Sequence, residues 1–229
     1  MGDARYDGFA EAYDAFLSAN AAYYAVADDA LRRLLGEGSG RCLDLGCGGG
    51  RALQTLIGLE WTPVGVDESS DQLRIARRRH AHVELVQSNA RPLPFGDATF
   101  EAAISTFTHT DTDHFRELVQ EVFRVLKPGA RFVYVGNHPC FIGATQEQRD
   151  SGIPVLHPGY RNVTRWHAVD APGIRGVSGW RATLGTFVHL PLAEFLSAFG
   201  GFALQSVEEL EDGWEYPRTI ALAFAKPRA

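Results

Sequence analysis

Between residues 41 and 136 short apolar runs alternate with amphipathic stretches, and few folds accept that alternation. Cys42–Leu45, Pro63–Val66, Val83–Val86, Glu101–Ser105 and Arg131–Val135 read as five strands. Between them, Arg51–Ile57 and a segment ending at Arg79, capped by Ser69 or Ser70, read as helices. A third helix carries Phe115, Leu118, Val119, Val122, Phe123 and Leu126 on one stripe and stops at Lys127-Pro128-Gly129. Strands that alternate with helices form parallel, doubly wound sheets, whose strand C-termini share one edge where ligands bind. The expected class is therefore α/β: a mostly parallel, seven-stranded, Rossmann-like sheet with helices on both faces.

The flanks complete a single domain over residues 1–229. Tyr6–Ser18 and Ala21–Leu35 read as helices, making 1–36 an N-terminal helical cap. Residues 137–187 break the rhythm with four prolines and many glycines, as a lid inserted after the fifth strand would. A helix over Pro191–Phe199 and strands at Phe202–Val207 and Thr219–Ala225 close the chain.

Composition narrows the partners. A hydrophobic fraction of 45% suffices for a sizeable core, and a net charge of −6 argues against a nucleic-acid partner. The single basic run, Arg77-Arg78-Arg79-His80, suits a solvated helix C-terminus. With no apolar run of membrane-spanning length and no signal-peptide core, the expectation is a cytoplasmic protein with no membrane partner. Its three cysteines lack metal or redox spacing and fit reduced thiols. Thr108 to His114 reads as a helix start rich in capping oxygens, so no metal is expected.

The first strand runs into Leu43-Asp44-Leu45-Gly46-Cys47-Gly48-Gly49-Gly50. Glycines 46 and 48 allow a sharp turn and close approach to a ligand. A dinucleotide fingerprint counted from Gly46 would place its last glycine at 51, which is arginine. Asp44, two residues before Gly46, would repel a pyrophosphate and suit a ligand ammonium. A nicotinamide-dependent oxidoreductase is the weaker alternative on that ground.

Taken with this loop, Asp67, Ser88-Asn89-Ala90 followed by Leu93-Pro94-Phe95, Phe100-Glu101 and Arg124 to Gly129 resemble the class I S-adenosylmethionine (SAM)-dependent methyltransferases of the type 11 group. The resemblance spans most of the chain and is clearest over 41–136. It implies SAM as cofactor, S-adenosylhomocysteine as product, and a small-molecule acceptor. Asp67, with Glu68 beside it, would hold the ribose hydroxyls, and Asn89 with Ala90 the adenine. Asn89 and Glu101 stand where the family commonly has aspartate; the Asn89 amide oxygen can still accept from the adenine amino group. Tyr6 and Tyr13 would close the pocket. The implied cofactor set is thus Tyr6, Tyr13, Asp44, Gly46, Gly48, Asp67, Glu68, Asn89, Ala90 and Ser105.

Four histidines fall near the expected ligand edge. His109, His189 and His138 are the candidate general bases, and His167 lies in the insertion. Phe141, Tyr160, Trp166, His167 and Trp180 are the candidate acceptor-binding residues. A base favours O-methylation, and the expected setting is natural-product metabolism, with the protein a monomer or homodimer. A SAM-binding protein that does not methylate, such as a cyclase or a regulatory module, shares every one of these cofactor motifs.

Overall fold

The computed structural model describes residues 4–142, 146–148, 154–156, 158–167, 186–211 and 213–228. Trp180 lies outside them, as does the side chain of His167. The elements are α1 (Ala10–Ala19), α2 (Ala21–Leu35), β1 (Arg41–Leu45), α3 (Arg51–Gly58), β2 (Thr62–Asp67), α4 (Ser70–Arg79), β3 (Glu84–Gln87), β4 (Phe100–Thr106), α5 (Phe115–Val125) and β5 (Leu126–Asn137). Then follow β6 (Gln146–Gln148), β7 (Pro154–Leu156), β8 (Thr164–His167), β9 (Thr186–His189), α6 (Leu192–Ser197), β10 (Ala203–Leu210) and β11 (Thr219–Ala225).

Seven strands form one sheet in the order β10-β11-β5-β4-β1-β2-β3. The pairs β3/β2, β2/β1, β1/β4 and β4/β5 are parallel, whereas β11 runs antiparallel to both β5 and β10. Strand order reverses between β1 and β4, and a crevice opens at that reversal, above the strand C-termini.

The two-residue period of the strands divides the core. Leu43, Leu45, Phe132 and Tyr134 face one side, packed with Val119, Val122, Phe195 and Phe199 of α5 and the α6 region. Cys42, Val133 and Val135 face the other, against Ala27, Leu31 and Leu35 of α2 and Leu56 of α3. Asp44, alternating with Leu43 and Leu45, therefore shares the α2/α3 side with Cys42. It is a fully buried carboxylate in an otherwise apolar row.

Local signals explain the boundaries. Ser69 caps α4, its Oγ accepting from Gln72 N–H at 3.2 Å. Gly36 ends α2 at φ +73°. α5 stops at Val125, and the Lys127-Pro128-Gly129 turn belongs to β5, where Gly129 N–H donates to the Lys226 carbonyl. The insertion holds two short antiparallel ribbons, β6/β7 and β8/β9. α1 lies against α4 through Arg74–Glu11 and Arg79–Asp14 ion pairs, both 2.7 Å.

Candidate active site

A cleft of about 370 Å³ opens at the C-terminal ends of β1, β2, β3 and β4. Its floor is the loop after β1. Gly46 (φ +72°) and Gly48 (φ +51°) hold left-handed conformations, and the Gly46 and Cys47 N–H groups both donate to the Val66 carbonyl at 2.8 and 3.0 Å. A Cβ on Gly46 would stand 2.5 Å from Thr108 Cγ2, so the close approach to the loop after β4 requires glycine.

Asp67, at the end of β2, lines the cleft. Its Oδ2 accepts from Gly48 N–H and its Oδ1 from Ser69 N–H, each at 2.9 Å. Burial raises its pKa to about 6, against the lowering effect of those two N–H groups. Each oxygen keeps a lone pair for further donors, which suits a vicinal diol. Asp44 lies behind the loop and off the cleft wall. Neither of its oxygens has a hydrogen-bond partner. Burial raises its pKa to about 7; Arg51 opposes the rise, while Asp67 and Asp28 add to it. Arg51 itself pairs with Asp28 and leaves Nη2 buried without an acceptor. An orphaned buried carboxylate behind a glycine loop suits a cation, and the diol-binding Asp67 beside it suits a ribose. The donor set fits SAM.

The remaining walls come from four places. Glu68 follows Asp67, and Gln72 stands on α4. Ser88, Asn89, Ala90 and Arg91 follow β3; Asn89 Oδ1 already accepts from Arg91 N–H at 3.1 Å, leaving one lone pair for an adenine amino group. Thr106 ends β4, and Phe107, Thr108 and Asp111 to His114 follow it. From the other end of the chain, Arg5, Tyr6 and Tyr13 close over the cleft. Tyr6 Oη donates to Asp111 Oδ2 at 3.2 Å, and its ring lies 5.0 Å from that of Tyr13. Burial, followed by the charge of Asp111, pushes the Tyr6 pKa well up, so the phenol stays protonated. Asp7 anchors the segment, taking Ser69 Oγ–H at 2.6 Å.

Four expectations need correction. Ser105 does not line the cleft: it is buried, its Oγ donates to the Leu45 carbonyl at 2.9 Å and meets Thr108 Oγ1 at 2.8 Å. It braces β1 against β4. None of the three candidate bases lines the cleft either. His109 sits in the aromatic core, 4.9 Å from the Phe195 ring, with Nδ1 2.6 Å from Tyr134 Oη. Burial pushes its pKa down to about 3, so it is neutral and a weak base. His138 Nδ1 accepts from Cys140 N–H at 3.1 Å, which puts the proton on Nε2, 3.0 Å from Glu209 Oε1. His189 Nε2–H donates to the Tyr160 carbonyl at 2.8 Å. Each spends its ring on holding the chain between β4, β5 and β9.

Of the candidate acceptor residues, Phe141 and Tyr160 lie beside these histidines. Phe141 packs 4.8 Å from the His138 ring, and Tyr160 lies 5.3 Å from the His189 ring. Tyr160 Oη also accepts from Leu192 N–H at 3.2 Å. Trp166 Nε1 donates to Thr164 Oγ1 at 2.8 Å within β8. Of the cleft residues, Arg5, Gln72, Arg91, Thr106 to Thr108, Asp111 to His114 and the apolar Leu45, Val66 and Leu118 escape sequence reasoning as ligand contacts. Arg5, one residue before the tyrosine pair, carried the clearest missed signal.

Residues 42–129 match the family described as methyltransferase domain, and the chain has the class I SAM-dependent methyltransferase fold. It is 37% identical over 105 residues to the fatty-acid O-methyltransferase of Mycolicibacterium smegmatis, an alignment covering 44% of this chain and 38% of that protein. It is 33% identical over 106 residues to the demethylmenaquinone methyltransferase of Lactococcus lactis, covering 42% of each. The chain thus spans well under half the length of these curated relatives. Among solved structures, a SAM-dependent methyltransferase from Mesorhizobium loti superposes with a TM-score of 0.68 at 21% identity, over 89% of this chain and 97% of that one. The [4+2]-cyclase SpnF shares the fold at a TM-score of 0.62 and 17% identity, over 90% and 81%.

Proposed function

We propose that this protein transfers the methyl group of SAM to a small-molecule acceptor, at oxygen, in natural-product or other specialised metabolism. The reading rests on Asp67, a cleft carboxylate held by the Gly48 and Ser69 N–H groups and aimed where a ribose diol would lie. The orphaned Asp44 behind the same loop supports it. The names of the two curated relatives, both methyltransferases of small molecules and one acting at oxygen, point the same way. SAM supplies an electrophilic sulfonium methyl. The chain's own part is to align the acceptor with it and to exclude water. The Arg5–Tyr13 segment covers the cofactor from one side. Beyond that segment, Phe187 of β9 reaches Arg5, 5.0 Å from the guanidinium.

Calorimetric titration tests this directly. SAM and S-adenosylhomocysteine should bind with micromolar affinity and NADH should not. Incubation with SAM and acceptor mixtures should give methylated product together with S-adenosylhomocysteine. Binding of both nucleosides with no methylated product would leave a binding or cyclase-like role. Binding of NADH alone would overturn the reading of the glycine loop.

A further inference from the structure

Arg5 has two distinct donor edges. Nη1 donates to the Asp111 carbonyl at 3.1 Å and stands 3.5 Å from Asp111 Oδ1. The opposite edge, formed by Nε and Nη2, is buried, and neither nitrogen has a hydrogen-bond partner. These two N–H groups point the same way, the fork that receives both oxygens of a carboxylate. Buried charged donors without acceptors are rare and mark a place where a partner belongs. Arg5 lines the cleft, and its described contacts are Asp111 and the Phe187 ring of β9, not the glycine loop or Asp67. No described contact joins the fork to the residues suited to the ribose and the ammonium. Leu45, Val66, Phe107 and Leu118 give the cleft apolar surface.

A second observation concerns protons. A hydroxyl acceptor must lose a proton and gains from a base. His109, His138 and His189 are committed elsewhere, His114, which does line the cleft, is exposed and 3.0 Å from Glu117, and the cleft carboxylates Asp111 and Asp113 are paired with Arg5 and Arg165. A carboxylic acid is already ionised at neutral pH and needs no base.

Building on the methyltransferase reading, we propose that the acceptor is an apolar carboxylic acid, and that Arg5 Nε and Nη2 hold its carboxylate. A carboxylate oxygen forms the new O–C bond with the methyl carbon. The C–S bond breaks, its electron pair stays on sulfur, and the products are a methyl ester and S-adenosylhomocysteine. No proton moves.

The test compares wild type with Arg5→Lys, which keeps the charge and loses the fork. Decanoic and cinnamic acids are assayed with SAM for methyl ester, beside decanol and cinnamyl alcohol. S-adenosylhomocysteine and 5′-methylthioadenosine, which lacks the amino-acid end, are titrated into both proteins. The expected result is ester from at least one acid and no ether from the alcohols. Arg5→Lys should raise KM for the acid tenfold or more and change S-adenosylhomocysteine affinity less than threefold. An unchanged KM, or methylation of the alcohols and not the acids, would overturn the proposal. So would a loss of S-adenosylhomocysteine affinity with 5′-methylthioadenosine binding intact, because Arg5 would then hold the cofactor's own carboxylate. Wild type that binds neither nucleoside would instead defeat the methyltransferase reading.

Discussion

Two aspartates flank the glycine loop, Asp67 in the cleft and Asp44 behind it, and their differences are measurable. Asp67 faces the cleft, so Asp67→Ala should weaken SAM binding by about 1–3 kcal/mol through lost charge-assisted hydrogen bonds. Unchanged calorimetric affinity in a folded variant would sink the ribose assignment. Asp44 is buried without a partner, and its pKa of about 7 lies above that of an unfolded aspartate. A raised carboxylate pKa means that the native state holds its proton longer. The associated stability is present below about pH 4 and is lost as pH rises through 7. Asp44→Asn should therefore raise the melting temperature of the cofactor-free protein at pH 8, by on the order of 2 kcal/mol in stability, and leave it nearly unchanged at pH 4. Equal melting curves at both pH values would show that the carboxylate is solvated. Gly46→Ala would place its Cβ against Thr108 Cγ2 and strain a left-handed φ, at a cost of roughly 1–3 kcal/mol. Thr108→Ser removes that methyl and should recover part of the loss in a double-mutant cycle; full additivity would place the strain in the backbone alone.

At the scale of elements, sequence and structure agree where periodicity governs and part where contacts do. The apolar stripe of α5 and the two-residue alternation of β1 and β5 were legible because burial imposes them directly. So was the position of the glycine loop and Asp67 at the cleft, since a tight turn after a strand needs particular residues at particular spacings. The ends of elements shifted: Tyr6 lies in a turn before α1, because its phenol bonds Asp111 across the cleft. The histidines were misplaced for a related reason. Position after a strand puts a residue near the ligand edge, but it does not say which way the ring turns. His109 turns into the Phe115–Tyr134–Phe195 aromatic cluster. That cluster joins α5, β5 and α6, and Phe195 is fully buried within it. Phe195→Ala should cost about 3–5 kcal/mol, read by denaturant unfolding. A loss below 1 kcal/mol would mean that α6 is not part of the core.

For the molecule as a whole, sequence separation and spatial role are uncoupled: the cleft draws on Arg5 and on the loops after β1 to β4, and Arg5 in turn meets Phe187 of β9. Asp7 and Asp14 hold the leading segment to Ser69 and Arg79 at the start and end of α4. Releasing that hold with Asp7→Ala should speed S-adenosylhomocysteine dissociation several-fold in stopped-flow, with little change in the association rate. Arg5 and Tyr6 lie on the same stretch of chain; both hold Asp111 in the loop after β4, and Arg5 also touches Phe187 of β9. On the proposed methyl-transfer reading, a single covering piece shared by two ligands imposes an order of events. The nucleoside enters first and leaves last, and the methylated product departs between. Initial-rate kinetics should accordingly be sequential, with S-adenosylhomocysteine competing against SAM and acting noncompetitively against the acceptor.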